Sequence, residues 1–326
     1  MTKITLLEAV TQALAYELEH DENVVLLGED IGLNGGVFRA TDGLQAKFGA
    51  NRVMDTPLAE SMIAGLAIGM AAQGLKPVAE FQFMGFSYPA LDNILNHAAR
   101  LRNRTRGRLH CPAVFRAPFG GGIHAPEHHS ESTEALYAHI PGLQVVIPSS
   151  PARAYGLLLA AIRSPDPVLF LEPKRIYRLV KQEVPDNGVA LPLGKAFVLR
   201  EGSDVTLISW GASLHETQLA ADELTQQGVS VEVIDIATIK PLDTATIIHS
   251  LNKTGRCVIV HEAARSGGVG AEIAAQIGEK ALLSLLAPIQ RVTGYDATMP
   301  YFKLEYSYIP SVARIVHAAN LTLEFA

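Results

Sequence analysis

Short, uninterrupted apolar runs recur along the first half of the chain, each separated from the next by a stretch with helical patterning. The runs are residues 23–27 (NVVLL), 77–81 (PVAEF), 113–116 (AVFR), 143–147 (LQVVI) and 168–171 (VLFL). They do not alternate apolar with polar residues, so each reads as a strand covered on both faces. Helical patterns occupy residues 5–20, 57–73, 88–104 and 150–163. This alternation predicts an α/β fold with a doubly wound parallel sheet. The pattern breaks at 181–195 (KQEVPDNGVALPLGK), where prolines and Asp-Asn-Gly replace any periodicity. It then restarts, with strands at 205–210, 229–234, 257–260 and 289–292 and helices at 213–227, 243–252 and 271–283. With 326 residues the chain exceeds what one core usually holds. The expectation is an α/β domain over 1–185, a linker over 186–200 and a smaller α/β domain over 201–326.

Composition removes several function classes. A formal charge of -6 argues against nucleic acid or an anionic membrane as the main partner. The longest apolar stretch, residues 62–72, is about half of the ~20 residues a membrane span needs. The chain opens on Thr5 and Glu8 at capping-box spacing rather than on a targeting segment. Two distant cysteines, Cys111 and Cys257, read as buried core thiols in a reduced compartment. The chain is therefore expected to be soluble and cytoplasmic. It holds no G-x-S-x-G elbow, no P-loop and no C-x-x-C.

Four segments could carry chemistry. In DTPLAES (55–61), Glu60 sits in the first turn of a helix rich in Gly and Ala, expected to be buried, with Thr56 as cap and Pro57 at its first position. Glu60 reads either as a charge favoured by the helix dipole or as a carboxyl in apolar surroundings poised to share a proton. APFGGGIHAPEHHSES (117–132) follows a strand and holds His124, His128 and His129 among acids. It reads as a metal loop, an incidental surface loop, or an active-site loop with one acid/base histidine. The aromatics of EFQFMGFSYPALDN (80–93) read as core or as a platform for a flat heterocycle. SGGVGAEI (266–273) lacks the dinucleotide spacing and reads as a tight backbone turn.

DTPLAES, EFQFMGF (80–86) and the GGGIHAPEHHSES loop (120–132), with GEDIG (28–32), GGVFRAT (35–41), PGLQVVIPSSP (141–151), AAIRSPDPVLFLEP (160–173) and KTGRCVIVHEA (253–263), resemble the beta subunit of the decarboxylating component of 2-oxo acid dehydrogenase complexes. The likeness runs almost the whole length of the chain. It implies a thiamin-diphosphate-dependent oxidoreductase with a pyrimidine-binding domain followed by a transketolase-like C-terminal domain. Position by position, it makes Glu60 the acid that hydrogen-bonds the aminopyrimidine ring, with Leu58 and Phe86 packed around that ring. His129 becomes the histidine at the active-site mouth, assisting proton transfer or reductive acylation of a lipoyl group. Ala113, Ala161, Ile162, Ser164 and Asp166 match where family members bind a structural potassium ion through mainly backbone oxygens. Thiamin enzymes generally anchor the diphosphate through magnesium on a G-D-G motif, which this chain lacks. An alpha subunit is expected to supply that magnesium site in an α2β2 heterotetramer. The resemblance also implies binding to the lipoyl and peripheral subunit-binding domains of an acyltransferase core, with Glu305 and the terminus near Phe325 on the latter surface. The substrate reading is pyruvate, with branched-chain 2-oxo acids and acetoin as alternatives. A non-catalytic scaffold subunit is the rival from another class.

Overall fold

The computed structural model describes residues 3–325. They divide into two units, one running up to Phe119 and over Leu136–Leu193, the other comprising Gly120–Ala135 and the chain from Gly194 onward.

In the first unit, β1 (Lys3–Thr5) is followed by β2 (Val24–Gly28), β3 (Val53–Asp55), β4 (Lys76–Glu80), β5 (Val114–Phe119), β6 (Gln144–Val146) and β7 (Val168–Pro173). From β2 to β7 these strands form a parallel array in the order β3-β2-β4-β5-β7-β6. Strands β2, β5 and β7 are buried at every position, as continuous apolar runs require. β1 pairs antiparallel with β8 (Lys181–Glu183) as a separate ribbon. The helix Leu6–His20 starts at the anticipated capping box, Thr5 accepting from the Glu8 amide while the Glu8 carboxylate reaches back to the Thr5 amide. It packs against the helix Pro151–Arg163, capped by Ser150 and opened by a proline.

The second unit contains β9 (Phe197–Arg200), β10 (Val205–Ser209), β11 (Val231–Asp235), β12 (Thr238–Lys240), β13 (Cys257–Val260) and β14 (Gln290–Val292). Five of these make a sheet in the order β14-β13-β10-β11-β9, parallel except for the antiparallel edge strand β9. The helices Ser213–Gln226 and Val312–Leu323 lay buried faces over one continuous core with it.

Several expectations shift. β3, β9 and the helix Val312–Leu323 were not anticipated. The helix expected from 57 begins at Glu60, after Ala59 in extended geometry with no side-chain cap. It is not buried all round: Ser61, Met62, Gly65, Leu66 and Gly69 are exposed along one face. The helix expected over 88–104 is broken into a 3-10 segment Met84–Ala90 containing Pro89, a π turn Ile94–Ala98 and two short α segments; Pro89 withholds an amide from the first of these only. The chain expected as linker from 186 packs with the first unit as far as Leu193. Leu191 donates its amide to the Gly156 carbonyl (2.9 Å) and Arg163 reaches the Gly188 carbonyl (2.8 Å). Cys111 and Cys257 are buried free thiols, as expected, and burial pushes the Cys111 thiol up to about 12. No helix among the described residues is long and apolar enough to cross a membrane.

Candidate functional site

In the parallel array the chain leaves β2 for β3 on one side, then crosses to β4 on the other. That reversal opens a crevice at the carboxyl ends of β2 and β4, the position where open α/β sheets bind ligands. Glu29 follows β2 directly, and the chain after β3 returns over β2 as the Thr56 amide bonds the Gly28 carbonyl (3.0 Å). The helix Glu60–Ala72 then starts beside the crevice. Its unpaired first-turn amides favour a carboxylate at that end. Glu60 is half-buried. Burial raises the Glu29 carboxyl above its ordinary range, and the neighbouring charges of Asp30 and Glu60 push it the same way.

The helix end is tied to the aromatic segment after β4. Ser61 donates to the Pro89 carbonyl (2.6 Å), and Asn93 donates to the Ser61 carbonyl (2.9 Å). That segment carries half-buried Phe86, edge-on to Phe83 with centroids 5.4 Å apart. Leu58 is 69% exposed. On the other flank, Asp55 accepts from the Gly32 amide (2.6 Å). A Cβ on Gly32 would lie 2.4 Å from the Asp55 carboxylate, so that approach needs glycine.

Beneath the crevice lies a charge cluster that reading the sequence missed. Fully buried Arg116 on β5 bonds Glu172 on β7 through two nitrogens (2.7 and 2.9 Å) and Glu80 on β4 through a third. Tyr177 donates to Glu172 (2.6 Å). Desolvation pushes the Glu80 carboxyl up, and Arg116 opposes it. Charged residues inside otherwise apolar strands were the available signal, since Glu80 and Arg116 are register partners.

The turn expected to hold potassium is in the same unit. The Cys111 amide bonds the Pro165 carbonyl, bringing Ala113 beside the turn formed by Ala161, Ile162, Ser164 and Asp166. The Ala113 carbonyl accepts from the Val168 amide, the Ala161 carbonyl from the Ser164 amide, and the Asp166 carbonyl from the Ser164 hydroxyl. The Asp166 carboxylate is engaged by Arg102 (2.8 Å).

The histidine-bearing loop belongs to the second unit. His128 is exposed and His129 half-buried, both on a single 3-10 turn, Glu127–His129. His124 is held elsewhere: its Nδ1 lies 2.8 Å from the Glu305 carboxylate and its ring meets Phe302 and Tyr306 edge-on. Among the described residues no group of three or more His, Cys, Asp or Glu is arranged to hold a metal. Glu305 is 1% exposed in this loop's support, which corrects its expected place on a docking surface; Phe325 is exposed. The turn at Ser266–Gly270 packs against buried His261, where a Cβ on Gly270 would sit 2.7 Å from its Nε2. Close approach explains Gly268 and Gly270, while Gly267 takes a φ of +67°. His261 stacks on Trp210 (5.1 Å, 17°), and burial pushes it down to about 4, keeping it neutral. Glu134 is also fully buried, accepts from the Trp210 indole (3.3 Å) and is pushed up to about 8 by burial.

Residues 2–180 match the family of transketolase pyrimidine-binding domains, and residues 194–315 that of transketolase C-terminal domains. The pyruvate dehydrogenase E1 component subunit beta of Bacillus subtilis (strain 168) is 49% identical over 325 residues, covering 100% of both chains. The protein of the same name from Acholeplasma laidlawii is 51% identical over 315 residues, covering 97% of this chain and 96% of its own. Among solved structures, one titled "Split gene transketolase, inactive beta4 tetramer" superposes with a TM-score of 0.82 at 24% identity, over 99% of each chain, a likeness of fold.

Proposed function

The chain belongs to the family of pyruvate dehydrogenase E1 component beta subunits, and on that premise we propose that it is the beta half of a thiamin-diphosphate-dependent enzyme that oxidatively decarboxylates pyruvate and acylates a lipoyl group. The observation that carries the reading is Glu60, a half-buried carboxyl on a helix end beside the switch-point crevice, with a second acid whose proton affinity is raised next to it. The donor set fits the cofactor's pyrimidine end: an acid for a ring nitrogen, with Leu58 and Phe86 as apolar surface for a flat heterocycle. When bound, the cofactor supplies an electron sink for loss of carbon dioxide. Glu60 holds a proton at the pyrimidine nitrogen, and Leu58 and Phe86 orient the ring and keep water from it. His129, on the second unit, moves a proton during transfer to the lipoyl group.

The remainder of the site comes from an alpha subunit, which binds magnesium and the diphosphate in an α2β2 assembly. Support comes from the missing G-D-G and from uncovered apolar residues on and just before the Glu60 helix, where Leu58, Met62 and Leu66 are all more than 40% exposed. The carbonyls of Ala113, Ala161 and Asp166 each keep a second lone pair for a potassium ion, with Ile162 and Ser164 framing the turn. The exposed carboxyl-terminal region around Phe325 serves the peripheral subunit-binding domain of the acyltransferase core. The cytoplasm is the proposed compartment. The relatives' names favour pyruvate over branched-chain 2-oxo acids or acetoin.

The test is co-expression with the alpha subunit and a pyruvate-dependent dye-reduction assay. Glu60→Gln should reduce turnover at least ~100-fold, the lower bound for a positioned acid, while the heterotetramer still elutes intact. Wild-type turnover in an intact Glu60→Gln tetramer would remove Glu60 from the mechanism. Full activity of the alpha subunit alone would favour the scaffold reading.

A further inference from the structure

The histidine loop runs over three consecutive glycines, and two buried carboxylates hold its backbone. Glu262, 6% exposed, accepts from the Gly121 amide (2.5 Å) and the Ser132 hydroxyl (2.9 Å) through the same oxygen. It therefore joins the two ends of the loop. The Gly120 amide closes them further on the Glu131 carbonyl (2.9 Å). Glu305, 1% exposed, accepts from the Gly122 amide (2.6 Å) with one oxygen and from the His124 amide (3.0 Å) with the other. Its second oxygen also faces His124 Nδ1 at 2.8 Å. The short turn bearing His128 and His129 lies between these anchors, and Tyr301 donates to Glu127 at its start (2.5 Å).

The glycines follow from the carboxylates. A Cβ on Gly120 would lie 2.8 Å from the Glu262 carboxylate. One on Gly121 would lie 2.5 Å from the Met299 methyl and 3.4 Å from Glu305. Gly120 and Gly122 take φ of +81° and +88°, and His124 is held at +59° despite its side chain. A charged acceptor with several amide donors is the strong kind of hydrogen bond. Neither acid has an arginine or lysine salt-bridge partner among the described ion pairs, so in the described network the loop amides, Ser132 and His124 take that place. A cavity of about 200 Å³ lies under the loop, lined among others by Ser130, Ser132, Thr298 and Tyr308. Part of the loop therefore borders open space rather than packed side chains, and there its anchors help to set its position.

We propose that Glu262 and Glu305 are positioning residues that fix the height and orientation at which the His129 turn meets the lipoyl-linked acyl acceptor. The inference rests on the role given to His129 above. Glu305 acts on the leading strand of the loop and Glu262 on its closure, and removing either lets the turn wander over the cavity. Misplacing an acid/base group by about 1 Å can cost ~100-fold in rate. A split anchor leaves one set of bonds intact, so a smaller loss of about tenfold is expected.

The experiment uses the α2β2 enzyme with two assays: dye-linked decarboxylation of pyruvate, and reductive acetylation of a free lipoyl domain. Glu262→Gln, Glu305→Gln and Gly122→Ala are compared with His129→Ala, each also in combination with it. Hydrogen exchange of the 120–133 peptide is read on every protein. Glu305→Gln and Glu262→Gln should speed exchange of that peptide and lower kcat/KM for the lipoyl domain about tenfold more than for dye reduction. Combined with His129→Ala they should add little, since groups acting as a unit are non-additive. Gly122→Ala, which leaves both acids in place, should reproduce the same split. Equal losses in both assays, losses that add fully to those of His129→Ala, or unchanged exchange would overturn the positioning role. If His129→Ala itself acetylates the lipoyl domain at the wild-type rate, the role of His129 fails instead, and the exchange result still reports on the anchors.

Discussion

Buried carboxylates lie beside the crevice of the first unit and behind the histidine loop of the second, yet they are compensated differently at the two places. In the first, Glu80 and Glu172 share the guanidinium of Arg116, so charge is met by charge. In the second, Glu262 and Glu305 are met mainly by backbone amides of a glycine-rich loop, and Glu134 by its own amide and the Trp210 indole. An ion cluster inside three adjacent strands makes a fixed floor under the crevice of Glu60. Amide-held carboxylates make a support that can be shaped by the loop, and Glu134, lacking a cation, holds a proton. The difference separates a platform that must not move from a loop whose exact placement matters.

The cluster gives the largest expected effect. Arg116→Met leaves two carboxylates facing each other without a cation. Breaking a buried pair from one side costs about 3–5 kcal/mol, and the urea midpoint should fall accordingly. Replacing Glu80, Arg116 and Glu172 together by apolar residues of similar size should recover most of that loss. A neutral Arg116→Met would mean that the cluster is not a fixed floor.

Glu134 tests the other side of the comparison through pH. Its folded-state pKa is raised from 4.5 to about 8, so the native state binds a proton that the unfolded chain releases above 4.5. Its contribution to stability is complete below pH 4.5 and is lost as pH rises through about 8. His261 runs oppositely. Its pKa is lowered from 6.5 to about 4, so the unfolded chain binds the extra proton and stability falls as pH drops from 6.5 toward 4. The two slopes oppose each other between 4.5 and 6.5, leaving Glu134 alone above. Between pH 6.5 and 8 the wild type should lose about 2 kcal/mol from this group, at roughly 1.4 kcal/mol per unit. Denaturant titrations of Glu134→Gln should be flat over that interval relative to wild type; a parallel slope in both proteins would show that Glu134 is already ionised.

Most of the architecture was legible because it rests on local patterning. Apolar runs such as 168–171 and the Thr5–Glu8 capping box declare themselves within a few residues. β3 is three residues long and exists through its pairing with β2, so no periodicity could announce it. β9 is half-exposed and antiparallel, and its side-chain pattern differs from that of the buried strands. The helix Val312–Leu323 did carry a signal, Ser311 as cap before an amphipathic run. In the site, Glu60 stood out by its flanks in DTPLAES, whereas Glu262 and Glu305 are 141 and 183 residues from the glycines they hold. The GGG run was visible, but what it had to accommodate was not. Long-range pairing of that kind leaves only its local consequence in the chain.

That consequence supports the smallest prediction. Gly43 and Gly120 both have left-handed backbone, φ +75° and +81°, but nothing lies within 4 Å of a Cβ built at Gly43. Alanine at either position carries the backbone penalty of a positive φ, about 1–2 kcal/mol. Only at Gly120 does the new methyl also press on a carboxylate, 2.8 Å away, that must keep its bonds to Gly121 and Ser132. Gly120→Ala should therefore cost about 1 kcal/mol more than Gly43→Ala in thermal or urea unfolding. The excess should disappear in a Glu262→Ala background, where the methyl has room. If the excess persists there, or the two glycines cost the same in the wild-type background, the glycine run is set by backbone conformation alone and not by the acid beneath it.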